Sequence, residues 1–227
     1  MTALIVAIDG PAGAGKSTVA RRVAQRLNLR LVDTGAIYRS VAVLAERQRV
    51  SDEDEAKLAE LARDLQIDFV LTPEHNQVWL NGEEVTSLIR TPEISMRASK
   101  ISRHPSVRDA LLELQRAFAK RDGAVLEGRD IGTVVLPDAP IKFFLDASPE
   151  ERARRRHEEL CASGIDSSFE EVLREVEQRD AQDRNRSVAP LKPADDAQVL
   201  DSTELSVDEV VERIVRAGQD HRGAESY

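Results

Sequence analysis

Gly10-Pro11-Ala12-Gly13-Ala14-Gly15-Lys16-Ser17 satisfies the spacing G-x-x-x-x-G-K-[ST]. The pattern has a mechanism. Glycines let successive backbone N–H groups turn inward around a phosphate, and a helix that follows adds the positive end of its dipole. Lys16 can then reach the β- and γ-phosphates of a nucleoside triphosphate, and the Ser17 hydroxyl can bind Mg²⁺. Gly10 through Ser17, with Thr18 behind them, form the candidate ATP-binding segment. A second chemistry-bearing stretch lies far along the chain. Residues 179–186, RDAQDRNR, put three arginines and two aspartates into eight positions. If they are helical, Arg179, Asp183 and Arg186 recur at i, i+4 and i+7 and share one face. That face is either a solvated surface held by ion pairs or a grip for an anion.

These groups need a frame. Ala3 to Ile8 is a continuous apolar run that reads as a strand buried on both faces, the usual state in a parallel sheet. Ser17 to Leu27 reads as an amphipathic helix, Leu29 to Val32 as a second strand, and Ala36 to Arg47 as a second helix. Ala124 to Glu127, Ile141 to Leu145 and Gln198 to Leu200 read as further short strands. Two capping boxes announce helices, Ser148-Pro149-Glu150-Glu151 and Ser206-Val207-Asp208-Glu209. Strands alternating with helices predict an α/β fold, a parallel sheet flanked by helices. One segment breaks the rhythm. Ile67 to Leu71, Gln77 to Leu80 and Glu83 to Val85 read as strands, the last two joined by Asn81-Gly82, a hairpin signal. This predicts a small antiparallel β insert. The polar tail from Asp220 to Tyr227 is expected to fray.

Composition narrows the possible roles. The 227 residues suffice for one core, and the formal net charge is −9. Coating a nucleic acid polymer or a membrane surface needs the opposite sign, so both are excluded as general roles. Cys161 is the single cysteine and the four histidines lack metal-ligand spacing. No apolar run is long enough to span a membrane, and the start has no secretory leader. A cytoplasmic protein is expected, and a monomer.

Two motifs sit at the carboxyl ends of strands, where open α/β sheets bind ligands. Asp33-Thr34-Gly35-Ala36-Ile37-Tyr38-Arg39 follows the second strand, and Glu127-Gly128-Arg129-Asp130 follows the third. Arg39, Arg129, Arg179 and Arg186 can thus converge on one crevice. Bidentate arginine clusters suit a phosphate better than water. A phosphate monoester acceptor also needs no general base, since it is mostly ionised at neutral pH. Three other readings compete with phosphate transfer to a monophosphate. They are a P-loop kinase for another small acceptor, a nucleotide-operated switch, and nucleic-acid binding by the arginine-rich stretches.

Taken in order, GPAGAGKST, DTGAIYR, EGRDIGTVVLP, KFFLDAS, QRDAQDRNR and VLDST resemble the bacterial cytidylate kinases, to about residue 218. The resemblance implies transfer from ATP, with Mg²⁺, to CMP or dCMP. It implies a single kinase domain with a core of residues 1–33, 106–151 and 188–227. It also implies a monophosphate-binding region at 34–105, with the β-hairpin insert near 67–91, and a mobile lid at 152–187. By family likeness, Thr34, Tyr38 and Arg39 line the monophosphate site. Ser99, Arg108 and Asp130 read the cytosine, Arg129 and Arg186 grip phosphate, and Arg179 with Asp183 lie on the sugar side. Lys16, Arg129, Arg179 and Arg186 are the candidate catalytic set, and Arg154 or Arg155 is expected to touch ATP. Family members often carry Asp where this chain has Glu127, which is expected to hold the metal through a water. Independently of the resemblance, a carboxylate such as Asp130 suits cytosine, whose N4 donates, and repels uracil, which presents an acceptor there.

Overall fold

The computed structural model describes residues 3–120, 123–162 and 164–224. Along them, β1 (Ile5–Asp9) leads to α1 (Lys16–Leu27), β2 (Arg30–Asp33) to α2 (Thr34–Arg47), and α3 (Glu55–Arg63) to three short strands. These are β3 (Ile67–Leu71), β4 (Asn76–Leu80) and β5 (Glu83–Glu84). Next come α4 (Pro92–Ile101), α5 (Pro105–Lys120), β6 (Ala124–Gly128) and β7 (Ile141–Asp146). The helix pair α6 (Pro149–Ala162) and α7 (Phe169–Asn185) precedes β8 (Gln198–Asp201) and α8 (Val207–Ala224).

The main sheet runs β2-β6-β1-β7-β8, and every neighbouring pair is parallel. The apolar run at the start becomes its central strand. Val6 and Ile8 face the α1/α8 layer, while Ala7 faces the opposite layer of α2, α3 and α5. Strand alternation sends side chains to both faces, and helices on both faces require both to be apolar. Every strand ends at the same edge, so the motifs that follow β1, β2 and β6 meet there.

The insert forms as a separate antiparallel sheet, β3-β4-β5. Asn81 and Gly82 take φ of 51° and 81°, the paired positive values of a two-residue hairpin turn. No helix among the described residues is long and apolar enough to cross a membrane.

Several local expectations are corrected. The capping box at Ser206 forms in both directions, with Ser206 N donating to Glu209 at 2.9 Å and Glu209 N to Ser206 Oγ at 3.3 Å. At Ser148 only half forms. Glu151 N donates to Ser148 Oγ at 3.2 Å, but the Glu151 carboxylate is taken by Arg154 and Arg155. A box not anticipated caps α7, between Ser168 and Glu171. The tail does not fray at Asp220, because α8 continues to Ala224; Gly218 passes close to Leu27, and Arg222 donates to Leu27 O at 3.0 Å. Residues 225–227 of that expectation lie outside the described residues. Arg186 does not share the helix with Arg179 and Asp183. It follows the last helical residue with extended ψ of 140°.

Candidate active site

The phosphate loop joins β1 to α1. Gly10, Gly13 and Gly15 hold φ of 148°, 76° and 83°, which side-chain-bearing residues rarely adopt. A Cβ on Gly10 would sit 2.0 Å from Leu145 O. Gly15 precedes α1 without a side-chain cap, and the first turn holds no acidic residue. The N–H groups of that turn are therefore left for an external anion. Lys16 is buried and donates to Pro11 O at 2.6 Å, folded back across the loop.

Behind the loop lie the acids. Ser17 Oγ donates to Glu127 Oε2 at 2.9 Å, and Thr34 Oγ1 donates to Glu127 O at 2.7 Å. Burial pushes the Glu127 carboxyl up and Asp33 adds to this, while burial and the neighbouring Arg129 pull the Lys16 ammonium down. Both groups are strained as charges until a further charged partner arrives. Asp9, at the end of β1, accepts from Ile131 N at 2.8 Å and Gly132 N at 2.7 Å. Burial pushes it up to about 6 despite those two bonds. It thereby pins a single π-helical turn, Ile131–Val135, directly after Asp130.

The arginines gather beside this. Arg129 Nε donates to Asp183 Oδ2 at 3.0 Å. Burial weakens the Arg179 charge, with Arg129 and Arg39 close enough to add repulsion, bringing it down to about 10. It remains charged at neutral pH. Burial opposes ionisation of Asp183, but Arg129 and Arg179 outweigh it and hold the carboxyl below its usual range. Arg39 Nη2 donates to Asp33 Oδ2 at 2.7 Å. Three buried guanidinium nitrogens, Arg39 Nε, Arg179 Nε and Arg186 Nη2, have no hydrogen-bond partner among the described residues. Buried donors are nearly always satisfied, so this cluster is short of acceptors.

Asp130 anchors the far side. It pairs with Arg108 inside the protein, and Arg186 Nη2 stands 4.0 Å from its other oxygen. The Arg108 guanidinium lies 5.6 Å from the Tyr38 ring centre, in cation–π range. Arg186 is aimed by its own loop, Nε donating to Ala189 O, with Ala189 at φ 48°. Ser99 is half-buried on α4, where its carbonyl accepts from Ser102 Oγ. Its hydroxyl makes no described bond to the Asp130–Arg108 pair. Arg103, in the turn between α4 and α5, donates to Gln182 of α7 at 2.8 Å.

The two α6 arginines expected to touch ATP separate. Arg155 reaches Ser202 O at 2.7 Å, and its Nη1 is 3.7 Å from where a Cβ on Gly15 would lie. Arg154 is half exposed, bonded to Glu151 and Glu158, and is not brought to the loop. Sequence reasoning missed Arg152, which is buried and bonded to Ala12 O of the phosphate loop and to Asp180. It stands in the run RARRR, whose composition reads as a solvated face. The only usable signal was Ala153 and Leu160, which mark the buried stripe beside it. Cys161 is exposed on α6, its sulfur 3.8 Å from His157 Nε2.

The arrangement places an uncapped helix start on one side and a cluster of acceptor-poor guanidiniums on the other. The family profile described as "Cytidylate kinase" matches residues 6–220. "Cytidylate kinase 1" of Haemophilus influenzae is 50% identical over 210 residues, covering 92% of this chain and 91% of that protein. "Cytidylate kinase" of Geobacter sulfurreducens is 53% identical over 211 residues, covering 93% and 91%. A solved structure of an uncharacterized protein from Eubacterium ventriosum is similar in fold, with a TM-score of 0.52 at 15% identity, over 95% of this chain and 98% of that one.

Proposed function

This chain belongs to the cytidylate kinase family, and on that premise we propose how its residues carry out ATP-dependent phosphorylation of CMP and dCMP to CDP and dCDP. The three unpartnered guanidinium nitrogens carry the assignment of the acceptor side. Arg39, Arg179 and Arg186 bind the acceptor phosphate, with Arg129 between acceptor and donor. Donors fixed in a water-poor site stabilise charge as it spreads over the transferring group, without reorganising at the moment of reaction. Lys16 unfolds from Pro11 O to the donor phosphates, which restores a full charge to an ammonium that burial disfavours. Asp183, held ionised by Arg129 and Arg179, accepts from a sugar hydroxyl. Asp130 accepts from cytosine N4 and is aimed by Arg108, with Tyr38 packed beneath and Ser99 at the rim. Thr34 ties the acceptor region to the back of Glu127.

Among the described residues no cluster of three or more His, Cys, Asp or Glu side chains is set to hold a metal by itself. The oxygen pair of Ser17 and Glu127, 2.9 Å apart, fits Mg²⁺, which takes a few protein oxygens and completes its shell with phosphate and water. Bound there, the ion supplies charge neutralisation of the donor phosphates. A cation would also keep Glu127 ionised. Gly10 to Thr18 and Arg155 form the ATP side, and Arg154 joins it only by turning inward. We assign residues 1–33, 106–151 and 188–227 to the core, 34–105 to acceptor binding with its β insert near 67–91, and 152–187 to the lid.

A coupled ADP-release assay tests the reading with CMP, dCMP, UMP, AMP and GMP, and with no acceptor. Release is expected with CMP and dCMP and little without acceptor. Steady hydrolysis that no monophosphate accelerates would favour the switch, and a preference for another acceptor would move the assignment to a different kinase.

A further inference from the structure

Arg152 is 1% exposed, and no fully buried side chain among the described residues is larger. Its guanidinium ties three segments together. Nε donates to Ala147 O at 2.9 Å, between β7 and α6. Nη1 donates to Ala12 O at 3.1 Å in the phosphate loop and to Asp180 Oδ1 at 2.9 Å on α7. Nη2 closes the fork on Asp180 Oδ2. Arg152 lies in α6, so one buried group spans the donor loop and both lid helices.

Each contact constrains something that faces a nucleotide. A trans peptide is planar, with its N–H opposite its C=O, and no peptide among the described residues is cis. Arg152 draws the Ala12 carbonyl to the outside of the loop, so the Gly13 N–H turns to the inside. Gly13 fits closely there; a Cβ on it would lie 3.0 Å from the Arg152 Cβ. On α7, a helix advances about 100° per residue. Anchoring Asp180 therefore sets the azimuth of Arg179 and Asp183, which both fall to the same side of it. Arg152 has no exposed surface to offer a substrate, and both Asp180 oxygens are taken by its fork.

We propose that Arg152 and Asp180 are positioning residues that couple the two nucleotide sites. Phosphate in the donor loop favours the Ala12–Gly13 peptide orientation that Arg152 holds. Arg152 in turn holds α7 so that Arg179 and Asp183 meet the second nucleotide. Linkage makes the effect reciprocal, so each nucleotide tightens the other. The inference rests on the donor and acceptor assignments made above.

Calorimetric titration of CMP, with and without a non-hydrolysable ATP analogue and Mg²⁺, tests it. Wild type should bind CMP at least ~5-fold more tightly when the analogue is present, the lower range of ordinary coupling. The double variant Arg152→Met with Asp180→Leu removes both charges at similar volume, a replacement that buried pairs often tolerate. It should lose most of the enhancement, measured against its own affinity for CMP alone. Arg152→Lys, which keeps the charge but not the fork, should lose part of it and decides the matter if thermal scans show the double variant unfolded. Full enhancement in a folded variant would reduce the pair to a structural ion pair, and no enhancement in wild type would also overturn the proposal. Wild type that binds neither nucleotide would instead sink the site assignment itself.

Discussion

Asp130 shows how much one side chain can be asked to do. It holds Arg108 and stands 4.0 Å from Arg186, and in the proposed function it also offers cytosine an acceptor. Replacing it by Asn keeps the shape but adds a donor, which uracil can accept. Asp130→Asn should narrow the ratio of kcat/KM between CMP and UMP ten-fold or more, since a good base contact is worth about 1–3 kcal/mol. An unchanged ratio would remove Asp130 from base reading. This residue was legible in sequence because it closes a motif at a strand end. Arg152 was not, because burial is a property of the packed helix pair and RARRR looks alike whichever arginine turns inward. The same blindness put Arg154 beside Arg155 as an equal candidate, although only Arg155 reaches toward the loop.

The strands were readable to within a residue or two, since a parallel sheet covered on both faces leaves continuous apolar runs. Helix ends that depend on tertiary partners were not. The π turn after Asp130 is set by Asp9, whose two bonds to Ile131 N and Gly132 N come from 122 and 123 residues away. Likewise α7 stops at Asn185 with no Gly or Pro beside it, its end fixed by a loop that folds back so that Leu191 N donates to Asp183 O. The burial of Asp9 has a measurable signature. Its carboxyl moves from 3.8 to about 6 on folding, so the folded chain binds the proton more tightly. That stability is fully present below pH ~4 and is lost as pH rises through ~6, on the order of 3 kcal/mol. Asp9→Asn should flatten the decline of the urea midpoint across this window. Glu127, which burial also pushes up, adds to the decline. An identical slope in the variant would show that Asp9 is not its source.

Across the whole molecule, two anions must meet while water is kept out. On the proposed function, the helix pair α6–α7 serves as the cover. It has its own small core of Ala153, Leu160, Val172 and Val176, apart from the two clusters that sandwich the sheet. A unit with few apolar ties to its neighbours opens at low cost. With CMP and a non-hydrolysable ATP analogue, residues 152–187 should gain more protection from hydrogen exchange than the sheet strands do. Equal change in both would describe a rigid site. The same helix pair carries an instrument of its own. Cys161 is the chain's only cysteine, it is exposed, and it sits near the end of α6. A thiol-reactive fluorophore would therefore label one defined spot on the natural sequence. Its brightness, followed in a stopped-flow cell, would time the arrival of each nucleotide and the departure of each product, turning a catalytic cycle into an optical trace.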